Sequence, residues 1–152
     1  MALHLVRHAK AGSRSEWDGD DRSRPLTKAG RRQADVLAER LAVTRPPRLL
    51  SSPFARCRET LEPLAAALAT EIELLDSLGE GEPFEPLLEL LATLPDESVI
   101  CTHGDLIPAV IEALLRRGAE LAGEPIWRKG VVWELDRTEE TITRMHATPP
   151  PE

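Results

Sequence analysis

The sequence predicts an α/β protein: three α/β/α layers with a mostly parallel central sheet and an edge hairpin. Three observations predict it. Short apolar runs of strand type alternate with longer segments whose apolar residues recur at helical spacing. The resulting order, β-α-β-α-β-α-β-α-β-β, implies crossover connections and a sheet covered by helices on both faces. Two of the apolar runs end abruptly in ionisable residues, Arg7-His8 and His103-Gly104-Asp105. In an open parallel sheet those are the strand ends where ligands bind.

The 152 residues suit one domain, drawn over residues 1–147, followed by a disordered tail over 148–152. Lys and Arg number 19 against 26 Asp and Glu, a net charge of −7. That balance speaks against nucleic acid or an acidic membrane as partner while allowing a locally positive pocket. No apolar run approaches the roughly 20 residues that span a bilayer. The N-terminus enters a strand without a signal-peptide pattern, so a cytoplasmic location is expected. Cys57 and Cys101 lack any Cys-x-x-Cys or His/Cys company and read as structural thiols, with no metal and no cofactor expected.

The first strand covers residues 2–6. Residues 11–25 follow as a polar, charge-rich loop, read as a rim or partial lid with Trp17 as its hydrophobic anchor. Thr27 caps a helix whose Ala34, Leu37, Ala38 and Leu41 form one apolar face. Pro46-Pro47 leads into a second strand at 48–51. The next helix, 54–69, buries Leu61, Leu64, Ala65 and Leu68, with a kink expected at Pro63. A third strand is placed at 71–75, then a loop in which Gly79 and Gly81 bracket Glu80. Phe84, Leu87, Leu88 and Leu91 mark a short helix. Residues 98–102 form a fully buried strand. A helix over 105–117 accepts Pro108 in its first turn. Strands at 130–135 and 141–145, joined through 136–140, form the hairpin. His4, His146, Trp127 and Trp133 read as structural.

The chemistry gathers on a few residues. In such a sheet the strands ending in His8 and His103 can be neighbours, and Arg56, in the first turn of its helix, opens on the same side as Arg7. Two guanidiniums suit phosphate oxygens, and a neutral imidazole can attack phosphorus. Arg7 and Arg56 should disfavour protonation of His8, and His103 can donate to the phosphoryl oxygens. Lys10, Ser13 and Arg14 could extend the anion site, though surface solvation explains them equally well, and Trp17 could touch substrate.

Leu5-Val6-Arg7-His8-Ala9, Leu26-Thr27-x-x-Gly30-x-x-Gln33-Ala34, Ser51-Ser52-Pro53-x-x-Arg56-Cys57-x-x-Thr60 and Thr102-His103-Gly104 resemble, in order and spacing, the histidine phosphatase superfamily. The resemblance covers residues 3–114 and implies a phosphoglycerate mutase-like fold. It implies His8 as the phosphate-accepting nucleophile and Arg7, Arg56 and His103 as the rest of the pocket. It also implies Glu80 as proton donor, with Glu82 and Asp105 as rivals. Ala9 stands where the family usually has glycine and should be tolerated if its φ is negative. The stretch from Arg7 to Arg14, with Gly19-Asp20-Asp21 and Arg24-Pro25-Leu26, is similar to histidine phosphatase domains fused to actinobacterial Nudix hydrolases.

The resemblance implies a metal-independent phosphatase. The short segment between the third and fourth strands leaves an open site. That favours either a phosphohistidine protein or a phosphorylated small molecule as substrate, and disfavours a mutase. A nucleotide or sugar phosphatase with the same residues is the alternative. A non-catalytic phosphate- or phosphoprotein-binding module, acting with a separate Nudix hydrolase as partner, is the reading from another class.

Overall fold

The computed structural model describes residues 1–152. Its strands are β1 (Ala2–Arg7), β2 (Leu49–Ser51), β3 (Ile72–Leu74), β4 (Val99–Thr102), β5 (Glu120–Ala122), β6 (Val132–Thr138) and β7 (Thr141–Thr148). The helices are α1 (Lys28–Ala42), α2 (Ala55–Leu68), α3 (Glu85–Thr93) and α4 (Leu106–Arg116). One sheet runs β3-β2-β4-β1-β6-β7-β5. β1, β4, β2 and β3 are mutually parallel, whereas β6 is antiparallel to both β1 and β7.

The two-residue alternation of the central strands builds two cores. Leu3, Leu5, Leu50 and Ile100 point to the face covered by α3 and α4, where they meet Leu87, Leu91, Val110 and Ile111. Val6, Leu49, Val99 and Cys101 point to the other face, where Leu37, Leu41, Leu61 and Leu64 of α1 and α2 pack on them. A strand buried on both faces is apolar at nearly every position, as β1 and β4 are.

Three expectations change. The hairpin lies at the flank of the sheet, but β5 pairs in parallel outside β7 and takes the edge. β5 is only three residues long and half exposed, too short for an alternating pattern to register. The hairpin is also longer than expected and turns at Glu139-Glu140, with Glu139 at a φ of 57°. The tail expected to be disordered is docked: Thr148 closes β7, Pro151 is buried, and its carbonyl accepts from Gln33 Nε2 at 2.9 Å. Pro63 sits inside α2, which continues through it to Leu68.

Candidate active site

β1 and β4 are adjacent and parallel, with Arg7 opposite Thr102, so the residues following them, His8 and His103, come together. Their rings meet edge to face at 5.5 Å between centroids. The motif after β1 acts as a clamp on this turn. Thr27 caps α1 by accepting from the Gly30 N–H at 3.0 Å. A Cβ on Gly30 would stand 2.0 Å from the Lys10 carbonyl oxygen, so only glycine allows α1 to lie this close. Gln33 Oε1 accepts from the Lys10 N–H, and Thr60 Oγ1 accepts from the Ala9 N–H while donating to the Arg56 carbonyl. Ala9 has negative φ and is packed against Leu26 and Ala34, which explains why alanine serves there.

His8 is buried, and its Nδ1 lies 2.9 Å from the carbonyl oxygen of Ala9. A carbonyl only accepts, so Nδ1 carries the proton and Nε2 keeps its lone pair. Burial is the largest influence on the ring and lowers its pKa from 6.5 to about 3. His103, Arg56 and Arg7 push the same way against the bond to Ala9. The sequence expectation assigned the effect to the arginines; desolvation comes first.

Arg7 Nη1 donates to the Trp127 carbonyl at 2.7 Å. The Arg56 guanidinium, 1% exposed, donates from Nη1 to the Asp21 carbonyl at 3.0 Å and from Nη2 to Asp21 Oδ2 and Glu80 Oε1, each at 3.2 Å. The Nε–H groups of both arginines are buried without a partner. An orphaned buried donor costs about 1–3 kcal/mol, and an incoming oxyanion would remove that cost. Gly104 makes room for Arg7: a Cβ there would stand 2.6 Å from the guanidinium carbon.

His103 is fully buried, with Nε2 at 2.8 Å from Ser52 Oγ and 3.5 Å from Cys57 Sγ. Nε2 of the resting ring is therefore engaged by Ser52, and donation from Nε2 to a phosphoryl oxygen requires that contact to give way. Glu80 accepts from Arg14 Nη2 through both oxygens, at 3.0 and 2.8 Å, besides its bond from Arg56. Of its rivals, Asp105 accepts from the Gly81 N–H at 2.9 Å, and Glu82 is exposed.

The loop over 11–25 is strapped down. A bridge between Ala11 and Leu26 closes its base, and Arg24, almost fully buried, bonds the Gly12 carbonyl and Asp21. Ser13 pairs with Ser15, and Trp17 is 38% exposed with its Nε1 donating to the Asp20 carbonyl. Neither bonds a pocket residue, and Trp17 is no buried anchor. Lys10 lines an open cleft of about 490 Å³ with Gln33, Arg128 and Lys129, beyond the Gly130 bonds to the β1 end; none of Arg7, His8, Arg56 and His103 lines it.

Several site residues escaped the sequence reading. Asp21 is held well ionised: burial opposes this, but bonds and charge from Arg24, Arg56 and Arg14 outweigh it. Ser52 and Thr60 lay inside quoted motifs without a role. Trp127 is 38% exposed rather than a buried packing residue, resting on Trp133 at 5.2 Å between ring centroids. The run Trp127-Arg128-Lys129-Gly130, aromatic and basic ahead of a left-handed glycine, was the available signal. No three His, Cys, Asp or Glu side chains converge as a metal site.

A parallel sheet that ends in a neutral imidazole beside two guanidiniums with open donors defines an α/β protein of the phosphoglycerate mutase-like class, with an oxyanion pocket at its strand ends. Comparison with known proteins narrows the class. The chain belongs to the histidine phosphatase superfamily (branch 1), whose family model matches residues 3–83. It is 36% identical over 163 aligned positions to an 8-oxo-(d)GTP phosphatase of Mycolicibacterium smegmatis, covering 97% of this chain. The chain spans 48% of that relative's length. Among solved structures, a candidate phosphohistidine phosphatase SixA from Agrobacterium tumefaciens is 27% identical with a TM-score of 0.70, covering 90% of this chain and 91% of that one. A protein histidine phosphatase SixA complexed with tungstate, 22% identical, shares the fold at a TM-score of 0.75 over 97% of this chain and 94% of that one.

Proposed function

We propose that the protein is a metal-independent phosphatase that works through a covalent phosphohistidine on His8. The observation that carries this reading is a neutral His8 whose Nε2 is free, beside Arg7 and Arg56 with buried, unpaired Nε–H groups. Nε2 forms a bond to phosphorus as the bond to the leaving oxygen or nitrogen breaks, and the leaving group takes a proton from an acid. Water then attacks the phosphohistidine, returning a proton to that acid and releasing phosphate and neutral His8. Arg7 and Arg56 hold the equatorial oxygens, and His103 joins them once Ser52 releases it. Glu80, bonded to Arg56 at 3.2 Å, supplies that acid after phosphate takes over Arg56.

Two substrate classes share this chemistry: a protein phosphohistidine, as in the SixA proteins, and a phosphorylated small molecule. Identity to the 8-oxo-(d)GTP phosphatase favours a nucleotide in the second class. The resemblance to domains fused to Nudix hydrolases supports a separate Nudix hydrolase as partner, and the cytoplasm as the setting.

The test is phosphate release, with EDTA present, from a phosphohistidine protein, nucleotides and sugar phosphates, comparing wild type with His8→Ala. Turnover that resists EDTA, vanishes in the variant and leaves an acid-labile, base-stable phosphoenzyme in quenched wild type is expected. Phosphate binding without release from any substrate would leave a binding module instead.

A further inference from the structure

The segment ahead of β6 enters the pocket through its backbone. The Gly130 N–H donates to the carbonyls of Arg7 and His8, at 3.1 and 3.0 Å, and Trp127 offers its carbonyl to Arg7. Lys129 is thereby fixed one residue from the candidate nucleophile's own backbone. Its side chain is half buried and lines the cleft with Lys10 and Arg128, together with one acid, Glu152. None of these three cations has an ion-pair partner, in a chain whose net charge is −7. Burial, then Arg7, Arg24, Arg56 and Arg14, draws the Lys129 ammonium below its ordinary range, as expected of a cation placed among cations.

We propose that Lys129, with Lys10 and Arg128, forms a second anion subsite beside the phosphoryl pocket and selects substrates whose transferred phosphoryl is joined to another phosphate. The proposal rests on the phosphatase reading and names its substrate class, a terminal phosphoanhydride such as that of a nucleoside diphosphate. Because the Gly130 bonds tie Lys129 to the backbone of Arg7 and His8, the second anion is taken to be the phosphate adjoining the transferred group. A phosphomonoester would leave the subsite empty.

The acids support the same class. Each carboxylate near the pocket is either an acceptor in the resting site, as Glu80 is for Arg14 and Arg56 and Asp105 for Gly81, or exposed, as Glu82 is. An alcohol leaving group needs a ready proton. A phosphate leaving group, far less basic, does not. As His8 Nε2 bonds to the terminal phosphorus, the bridging P–O bond breaks and its electron pair stays on the departing phosphate, where the Lys129 ammonium meets the new charge. Water then releases the phosphoryl group from His8.

The experiment pairs turnover with binding. For wild type, kcat/KM on adenosine 5′-diphosphate should exceed that on adenosine 5′-monophosphate at least 100-fold. Lys129→Met, which keeps the stem, should lower that ratio at least tenfold, and Lys129→Arg should restore most of it. In the His8→Ala background, inorganic pyrophosphate should bind at least tenfold more tightly than inorganic phosphate by calorimetry, with the preference lost on adding Lys129→Met. A ratio unmoved in Lys129→Met, with pyrophosphate no tighter than phosphate, overturns the subsite while monoester turnover keeps the phosphatase. Lys129-dependent pyrophosphate preference without any turnover upholds the subsite and removes the phosphatase. Should Lys129→Met fail to fold, Lys129→Gln and the His8→Ala binding comparison decide by the same criteria.

Discussion

On one side of His8, Arg14, Arg24 and Arg56 share the carboxylates of Asp21 and Glu80. On the other, Arg7 is held by a neutral carbonyl, and Lys10, Arg128 and Lys129 border an open cleft. Both sides are basic, yet the first divides its charge between protein architecture, strapping the loop over 11–25 to α2 and the β3–α3 connection, and the pocket itself through Arg56, whereas on the second no carboxylate pairs with a cation. The difference teaches that a count of basic residues does not locate an anion site; what each cation is already bonded to has to be read with it.

That contrast breaks most sharply at the two arginines. Arg56→Ala and Arg7→Ala should each lower kcat/KM by about 10²–10³, the scale of losing one preorganised donor to a developing oxyanion. Their stabilities should part. Arg56→Ala leaves Asp21 and Glu80 only Arg14 and Arg24 as cations, removing the one buried guanidinium that bridges them, and strips Phe54 of a guanidinium 5.0 Å from its ring centre. A loss of about 2 kcal/mol, roughly 4–8 °C in Tm, is expected for it, against little change for Arg7→Ala. Equal melting shifts would remove the distinction between the two sides.

Gly104→Ala should cost less activity, about 10- to 100-fold, and almost no stability. Its methyl displaces only the far end of Arg7, which is flexible. Gly30→Ala, whose methyl meets backbone instead, should destabilise the fold, and thermal melts of the pair check this.

The buried imidazole gives a pH effect of intermediate size. His8 is held at a pKa of about 3 when folded and returns to 6.5 when unfolded, so the unfolded chain takes up a proton that the folded one refuses. Its neutral form is favourable to folding above pH 6.5, and stability falls as pH drops from 6.5 towards 3, by up to about 1.4 kcal/mol per pH unit. His8→Gln should show a shallower loss of stability between pH 7 and 4.5 in denaturant titrations. The acid limb of wild-type kcat/KM should not centre near 6.5.

The smallest effect belongs to Arg14. Its side chain is 62% exposed, and surface pairs contribute about 0.2–1 kcal/mol. Arg14→Ala should change Tm by no more than about 2 °C and kcat/KM by a few-fold, and added salt should shrink both differences.

Much of this was legible before any coordinates. The period-2 and period-3.6 patterns placed all four helices and six of the seven strands, and the strand-end histidines pointed to one pocket. What escaped had no local signal. Asp21 reaches Arg56 across 35 positions of sequence because two turns in the loop bring it back. Lys129 is tied to the end of β1 through main-chain bonds from Gly130, which any sequence could make. Glu80 was placed near the pocket, but its capture by Arg14 and Arg56 depends on a loop path that residue types do not encode.

The position of β1 bears on how the chain comes into being. β1 is buried along nearly all its length, and both its neighbours lie far along the chain, β4 beginning at Val99 and β6 at Val132. At about 5–20 residues per second a ribosome needs roughly 5 to 25 seconds after β1 to deliver them. For that interval Leu3, Leu5 and Val6 have no sheet to join and are a ready target for chaperones or for pairing with another nascent chain. The pocket, which needs β4 beside β1, becomes functional only after that wait ends, so enzymatic competence would serve as a late clock for maturation.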